Sequence, residues 1–439
     1  SDDNNLTNNT CNNNYDHGIY LRHYCYHNRI ENNTCNNNSN LLGSKGLLSD
    51  TGIYIDEASK HNTILNNTCL NNGNGIRAPY DSINNTIRDN NCSNNYYGIR
   101  LSSTSENNTI SNNICNNNND YGIYFAGSKN NSLINNTCNF NDDGIHFSSN
   151  TYNNTISNNT LENNTNGILV EWGSNNSFIN NAATNNTNGI SLDNSDNCTL
   201  TDNNASYNDE IGISLARSEN CTVENNIAIH NNNSVNLKTG IYVYQSIYND
   251  IYNNTLTDNQ YGVRLYTSST NNVIHNNTAE NNSNHGIFLS TYCSNNTVTN
   301  NTASYSDGGI GVSTDSQNNI IRNNSCSFNL YGISIRISSL NNTLRNNTIF
   351  NNSFYGVRIQ QNSENNIIKN NTIQNNSVYG IYISSSSSNR IYNNYLNNTD
   401  NAYDDSSNSW NTTQQAGTNI IEGSYLAGNY YHDYSEIGR

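Results

Sequence analysis

Charge is scarce in this chain of 439 residues: Asp, Glu, Lys and Arg make up 12% of it, and hydrophobic residues only 33%. On composition alone such a chain reads as disordered. Periodicity argues otherwise, because isoleucine returns at regular alternating positions and the polar bulk is asparagine rather than charge. Basic residues are scarcer still, 18 against 34 acidic ones. A nucleic-acid binder needs a basic stripe, so that partner class is excluded. No apolar stretch approaches the roughly 20 residues of a membrane-spanning helix. No signal peptide opens the chain, and its start inside repeat-like sequence is what a mature or trimmed product shows. There are 11 cysteines, yet neither a C-x-x-C pair nor a recurring histidine partner accompanies them, so no metal site is expected of them.

What the chain does have is a glycine followed by isoleucine or valine at a step of about 23 residues. It stands at Gly18, Gly52, Gly75, Gly98, Gly122, Gly144, Gly167, Gly189, Gly212, Gly240, Gly262, Gly286, Gly309, Gly332, Gly356 and Gly380. A fixed period in this range marks stacked supersecondary units that bury their apolar faces only against neighbours. In the stretch Tyr97 to Tyr121, Ile99-Arg100-Leu101 alternates as a strand. Asn108-Thr109-Ile110 forms a second and Ile114-Cys115 a third. Three short strands per coil predict an all-β chain, a right-handed parallel β-helix of about 16 coils over residues 1–400. Residues 401–439 are expected to be a non-repeat cap or inter-subunit segment. The leucine-rich framework L-x-x-L-x-L is missing, and asparagine this dense opposes helix. Ile99, Leu101, Ile110 and Cys115 should be buried and Arg100 exposed. Asparagine suits the corners, where its side chain both donates and accepts and bonds to its equivalent one coil away. The repeat glycine is expected to supply a bend of unusual dihedrals.

Three columns carry candidate chemistry. Two residues after the glycines lies an outward stripe that includes Tyr54, Arg77, Arg100, Tyr124, Tyr242, Arg264, Arg358 and Tyr382, a face suited to stacking on sugars or docking a protein. Cys35, Cys69, Cys92, Cys115 and Cys138 share a column that other coils fill with alanine, leucine or isoleucine, which marks an interior slot for unbridged thiols. About thirty N-x-[S/T] sequons fall in corner columns. They include Asn66, Asn84, Asn107, Asn130, Asn135, Asn153, Asn158, Asn163, Asn175, Asn185, Asn253, Asn276, Asn295, Asn323, Asn341, Asn346, Asn351, Asn370, Asn375 and Asn397. An Asn-Asn corner needs no Ser or Thr two places on, yet one usually follows, so covalent N-linked glycans are expected. Glu171 and Asp193, near Trp172 and Arg217, are the best-placed carboxylates for calcium or for acid–base work, although a solvated pair is the simpler reading. No convincing catalytic cluster stands out.

The repeat N-N-x-I-x-N-N-x-x-x-x-N-x-x-G-I-x-L, from about Asn8 to Asn398, resembles the β-helical repeats of secreted and surface proteins from methanogenic archaea. The same repeat type occurs in carbohydrate-binding proteins, in sugar hydrolases and in the accessory protein of nitrous-oxide reductase maturation. The segment Trp410 to Ser435 looks like the element that ends such arrays. The resemblance implies an extracellular or cell-surface location. No copper site carries over, since methionine is absent and the histidines are scattered. The leading expectation is a glycosylated structural protein that assembles with copies of itself end to end. Trp410, Tyr425, Tyr430, Tyr431 and Tyr434 would make the contact, with no cofactor. The alternatives are a glycan-binding adhesin using the Tyr/Arg face and a polysaccharide lyase or hydrolase.

Overall fold

The computed structural model describes residues 2–38, 50–233 and 237–433. All regular structure among them is β, and the fold is a right-handed parallel β-helix. The chain divides into two compact units, Ser1–Thr222 and Val223–Arg439. In the first, nine strands from His17–Leu21 to Ile211–Ala216 pair in parallel as the glycine sheet. In the second, eight strands from Thr239–Tyr244 to Asp400–Asp404 do the same. The last of these has Asn401 where a repeat glycine would stand, in register between Tyr379 and Ile381 pairing with Asp400 and Ala402. A second sheet of three-residue strands, such as Thr109–Ser111, runs through each unit. The third side is mostly single bridges in the first unit, as at Ile114↔Thr137. In the second it is a seven-stranded sheet from Thr278–Glu280 to Tyr430–Tyr431.

The interior follows from alternation. Ile99, Leu101, Ile110 and Cys115 are fully buried, and equivalent residues above and below are buried with them. Burial of each large aliphatic side chain contributes about 1.5–3 kcal/mol. The cysteine column lies inside as free thiols, and ten of the 11 cysteines are buried, Cys11 being half-buried. Burial and the neighbouring thiols raise the pKa of Cys69, Cys92 and Cys115 well above the ordinary range, so these are inert small hydrophobes. Cys198 and Cys221 occupy a different column: they stand in an asparagine ladder, and Cys221 Sγ donates to Ser195 O at 3.2 Å.

Each corner combines two asparagines with distinct roles. Asn107, Asn112 and Asn117 all have φ of 56°, the left-handed region that asparagine tolerates better than other residues with a Cβ. The next residue, Asn108, Asn113 or Asn118, turns inward and is buried. Asn113 donates from both its backbone N and its Nδ2 to Asn136 Oδ1 at 3.0 Å, and its Nδ2 also donates to Ile87 O at 2.9 Å. Asn136 repeats the pattern on Asn159. A buried polar side chain is stabilising only when satisfied in this way.

The repeat glycines differ from expectation. None of them has a positive φ; among the described glycines only Gly127 and Gly417 do. Their requirement is space. A Cβ on Gly52 would lie 2.7 Å from Gly75 O, 2.9 Å from Cys69 Cβ and 3.1 Å from Asn72 Nδ2. The carbonyl of the next coil and the interior column close in on the position together, which also explains why that column favours Cys and Ala. Arg100 differs as well: it points outward but is half-buried.

Candidate functional site

The outward face of the glycine sheet collects the side chains just before and two places after each glycine. Strands about 4.8 Å apart bring rings of neighbouring coils into contact, and they stack on one another. Tyr20 and Tyr54 lie 5.0 Å apart and 5° from parallel. Both hydroxyls donate to Asp56, at 2.6 and 3.1 Å, and burial together with that carboxylate raises each phenol to about 12. Arg77 covers the ring of Tyr54 at 5.1 Å, and Arg100 lies against Tyr97 at 5.1 Å and Tyr124 at 5.5 Å. In the second unit Arg264 contacts Tyr242, Tyr261 and Tyr266 at 4.5–5.9 Å. Arg358 sits 3.7 Å over Tyr331, and Tyr382 is stacked between Tyr355 and Tyr403. Tyr54, Arg77, Arg100 and Tyr124 therefore share the outward face of the first unit's glycine sheet, and Tyr242, Arg264, Arg358 and Tyr382 that of the second unit's. Most ring faces are already used by neighbouring rings and guanidinium groups.

Two places on this face stand apart. In the first unit, His146 is 6% exposed, stacks on Tyr121 at 4.3 Å and bonds through Nδ1 to Asp143 Oδ2 at 2.7 Å. Asn166 Nδ2 donates to Asp143 Oδ1 at 2.7 Å, and Glu171 lies 3.6 Å from His146 Nε2. Asp120 is held above the usual carboxylate range, mainly by burial, and Asp142 and Asp143 add to the rise. Asp193 pairs in register with Glu171 and is ion-paired with Arg217 from the following coil. Trp172 is exposed beside them.

In the second unit the strand Gly308–Ser313 has glycine at both outward positions, Gly308 and Gly311. The result is a notch of about 210 Å³ lined by Tyr261, His285, Phe288, Gly311, Ser334 and Arg336. His285 is half-buried, and its Nδ1 bonds to Asn284 Oδ1 at 2.6 Å. Burial, helped by Arg358 and Arg336, lowers its pKa to about 3, so the ring is neutral at neutral pH. Asn284 Nδ2 donates to Tyr261 Oη at 2.9 Å. Because Nδ1 carries the proton toward Asn284, Nε2 is left as an acceptor. Arg358 is 9% exposed and its Nε donates to Ser334 Oγ at 3.2 Å. Among the described residues no carboxylate lies within ion-pair distance of Arg264, Arg336 or Arg358.

The sequon asparagines occupy the left-handed corner positions. Nineteen of the twenty named above have positive φ, Asn397 being the exception, and all but Asn370 and Asn397 are exposed. The residue after each is usually the buried ladder asparagine. The Ser or Thr that follows usually opens a strand, as Thr109 and Thr86 do. The first two positions of the triplet thus have a structural use of their own, in the corner and in the ladder. Of the aromatic residues assigned to assembly, Trp410 Nε1 donates to Asp404 Oδ2 at 2.8 Å. Tyr430–Tyr431 pairs with Tyr395 and Leu396, and Tyr425 is 56% exposed; Tyr434 lies outside the described residues. Asn401, Asn408 and Asn429 supply final Oδ1 acceptors to Asn398, Asn389 and Asn394, so this segment continues the ladders of its own unit.

Column alignment could have found Asp143 and His146, which share the outward face three residues apart. The notch had a weaker signal, the run Gly308-Gly309-Ile310-Gly311, in which only Gly309 keeps the repeat.

Against known families, the chain matches the one described as "Periplasmic copper-binding protein (NosD)" over residues 1–120, 114–238, 221–353 and 291–436. No curated protein matches it. Among solved structures it is similar to a double mutant of the periplasmic alginate epimerase AlgG, at 17% identity and a TM-score of 0.45 over 64% of this chain and 76% of that one. It is also similar to the A-module of the Azotobacter vinelandii mannuronan C-5 epimerase AlgE6, at 13% identity and a TM-score of 0.37 over 93% and 91%. A third is the Dettilon tailspike protein, at 15% identity and a TM-score of 0.42 over 73% and 62%. At these identities the likeness speaks to the fold alone. The copper named by the family finds no matching donor set among the described residues. Among the described residues no group of three or more His, Cys, Asp or Glu side chains is arranged to hold a metal ion, methionine is absent, and most thiols are buried.

Proposed function

The chain belongs to the NosD family of periplasmic β-helix proteins, and from that premise we propose that it is an extracytoplasmic polysaccharide-binding protein whose outward glycine-sheet face holds an extended saccharide. The observation that carries this reading is the Tyr/Arg run on that face in each unit, in which Arg100 and Arg264 are held between tyrosine rings and, among the described residues, have no carboxylate at ion-pair distance. Guanidinium groups fixed in this way present donors at little entropic cost, and tyrosine hydroxyls add matching donors and acceptors. A polymer of repeating units suits a surface whose chemistry recurs along a stack of coils. Affinity electrophoresis in gels containing neutral or acidic polysaccharides tests it. Retardation by at least one polysaccharide, weakened in a doubly substituted Arg100→Gln, Arg264→Gln chain, supports the reading; equal mobility in every gel contradicts it.

Two other readings rest on specific observations. A polysaccharide lyase or hydrolase is favoured by His146, fixed by Asp143 beside the part-exposed Glu171, a layout suited to proton transfer at a sugar. Turnover of acidic polysaccharides that is lost in His146→Gln while binding persists would establish it. An N-glycosylated structural protein at the cell surface, assembling with itself, is favoured by the exposed sequon corners. An intact mass equal to the 48.8 kDa polypeptide would exclude the glycan coat.

A further inference from the structure

Of the glycines on this face, two are not explained by the fold. Gly309 is a repeat glycine: a Cβ there would meet Gly332 O at 2.5 Å, Asn329 Nδ2 at 2.9 Å and Ala303 O at 3.1 Å. Backbone of two other coils excludes a side chain. Gly308 and Gly311 are different. A Cβ on Gly308 would meet only the His285 ring at its closest contacts, and one on Gly311 would meet His285 at 2.6 Å and Phe288 at 2.7 Å. Those contacts are with side chains of the preceding coil rather than with backbone. Neither glycine has a positive φ. Other coils carry Tyr261, Tyr331 or Tyr355 at the first position and Phe288, Ser334 or Arg358 at the second. Nothing in the backbone demands glycine here: the pair leaves room for the His285 ring to lie over the strand, and Gly311 lines the notch beside it.

The notch interrupts the stacking. Phe288 is stacked on Tyr261 at 5.5 Å and tilted against His285, but in the next coil its register partner is Gly311, which has no ring to offer. An aromatic surface is left open there. Around it stand Nε2 of a neutral His285 as acceptor, the Tyr261 hydroxyl as donor, and Arg336, whose Nε reaches only Gln361 Oε1 at 3.4 Å. Arg358 and Arg264 add positive charge nearby, in a chain whose formal net charge is −16. An open ring face, hydroxyl-matching groups and an arginine without an ion-pair partner fit one sugar residue bearing a carboxylate.

We propose that this notch is a subsite for a single uronic-acid residue, with the pyranose against Phe288 and the carboxylate toward Arg336. The proposal rests on the polysaccharide-binding reading and supplies its ligand class. Isothermal titration of the full chain with trigalacturonate, its methyl ester and inorganic phosphate tests it, using wild type, Gly311→Val and Arg336→Gln. The expected result is that the wild type prefers the free acid to the ester by about tenfold or more. Both substitutions should lower that affinity by about tenfold without a change of fold by circular dichroism. If Gly311→Val does not fold, Arg336→Gln decides. Equal affinity for acid and ester, or variants that bind as wild type does, overturns the subsite while leaving saccharide binding by the face intact. Competition by phosphate as effective as that by the uronate would show a simple anion site and overturn the sugar assignment. A wild type that binds no saccharide in gels or by titration overturns both readings.

Discussion

The stretch of outward face around His146 and the stretch around His285 are built on the same scaffold and carry opposite charge. Both have an imidazole stacked on a tyrosine, Tyr121 in one and Tyr261 in the other. Around His146 stand Asp120, Asp142, Asp143 and Glu171, and a hydrogen-bonded carboxylate holds the ring. Around His285 stand Arg336 and Arg358, and a neutral amide holds it. The interior beneath is alike: Ile145 and Phe147 in one strand, Ile287 and Leu289 in the other, all fully buried. The difference teaches that the solenoid separates folding from recognition. Inward columns are fixed by packing and ladder bonding, whereas outward columns accept acid, base, ring or glycine without disturbing them.

If that separation holds, equivalent scaffold changes should cost the same in both stretches. The largest effect is expected from Gly144→Val and Gly309→Val, each of which drives a side chain into the carbonyl of the following coil. Both should lose several kcal/mol in urea unfolding, against about 1 kcal/mol for Gly311→Val. A Gly309→Val chain as stable as wild type would break the comparison. Next come the ladders. Asn136→Ala removes the acceptor shared by Asn113 N and Nδ2, and Asn324→Ala removes the one shared by Asn301 N and Nδ2. Each is expected to cost about 2–3 kcal/mol by leaving buried donors unmet, with closely similar values in the two units.

The charge difference gives the smaller effects. His285 has a folded pKa of about 3, below its unfolded value of about 6.5. Between those values the unfolded chain binds a proton that the folded chain does not, so the contribution of His285 to stability falls as pH falls through that window. His285→Gln should flatten the decline between pH 7 and pH 4 by about 3 kcal/mol, read from urea midpoints at the two pH values. Asp120 is the reverse case. Its folded pKa is raised, so its ionised form is disfavoured in the fold, and that penalty is present at neutral pH and fades as pH falls through the carboxylate range. Asp120→Asn is expected to stabilise at pH 7 by less than about 1 kcal/mol after solvent screening, with the gain vanishing near pH 3. A destabilised variant would contradict the assignment of burial as the cause.

The scaffold was legible because every inward position repeats. Ile99, Leu101, Ile110 and Cys115 were readable as core from alternation alone, and all are fully buried. The corner asparagines were readable as ladders for the same reason. The role of the repeat glycine was not, because close approach of the next coil is a tertiary fact that leaves the same glycine in the sequence as an unusual dihedral does. Asp143 and His146 were missed because outward columns carry no common residue type to flag a cluster; aligning the columns puts the two on one face, but their approach to Glu171 and Asp120 is a tertiary contact. Gly308 and Gly311 were hidden by Gly309, which made a run of glycines read as one repeat signal.

The central claim is that this face binds an acidic saccharide, and its most direct test is a crystal structure of the full chain soaked with an acidic oligosaccharide. Sugar density along the outward face of the glycine sheet, with a carboxylate against Arg336 and a ring over Phe288, is the predicted result. Density confined to the asparagine corners, or none at saturating ligand, would contradict it.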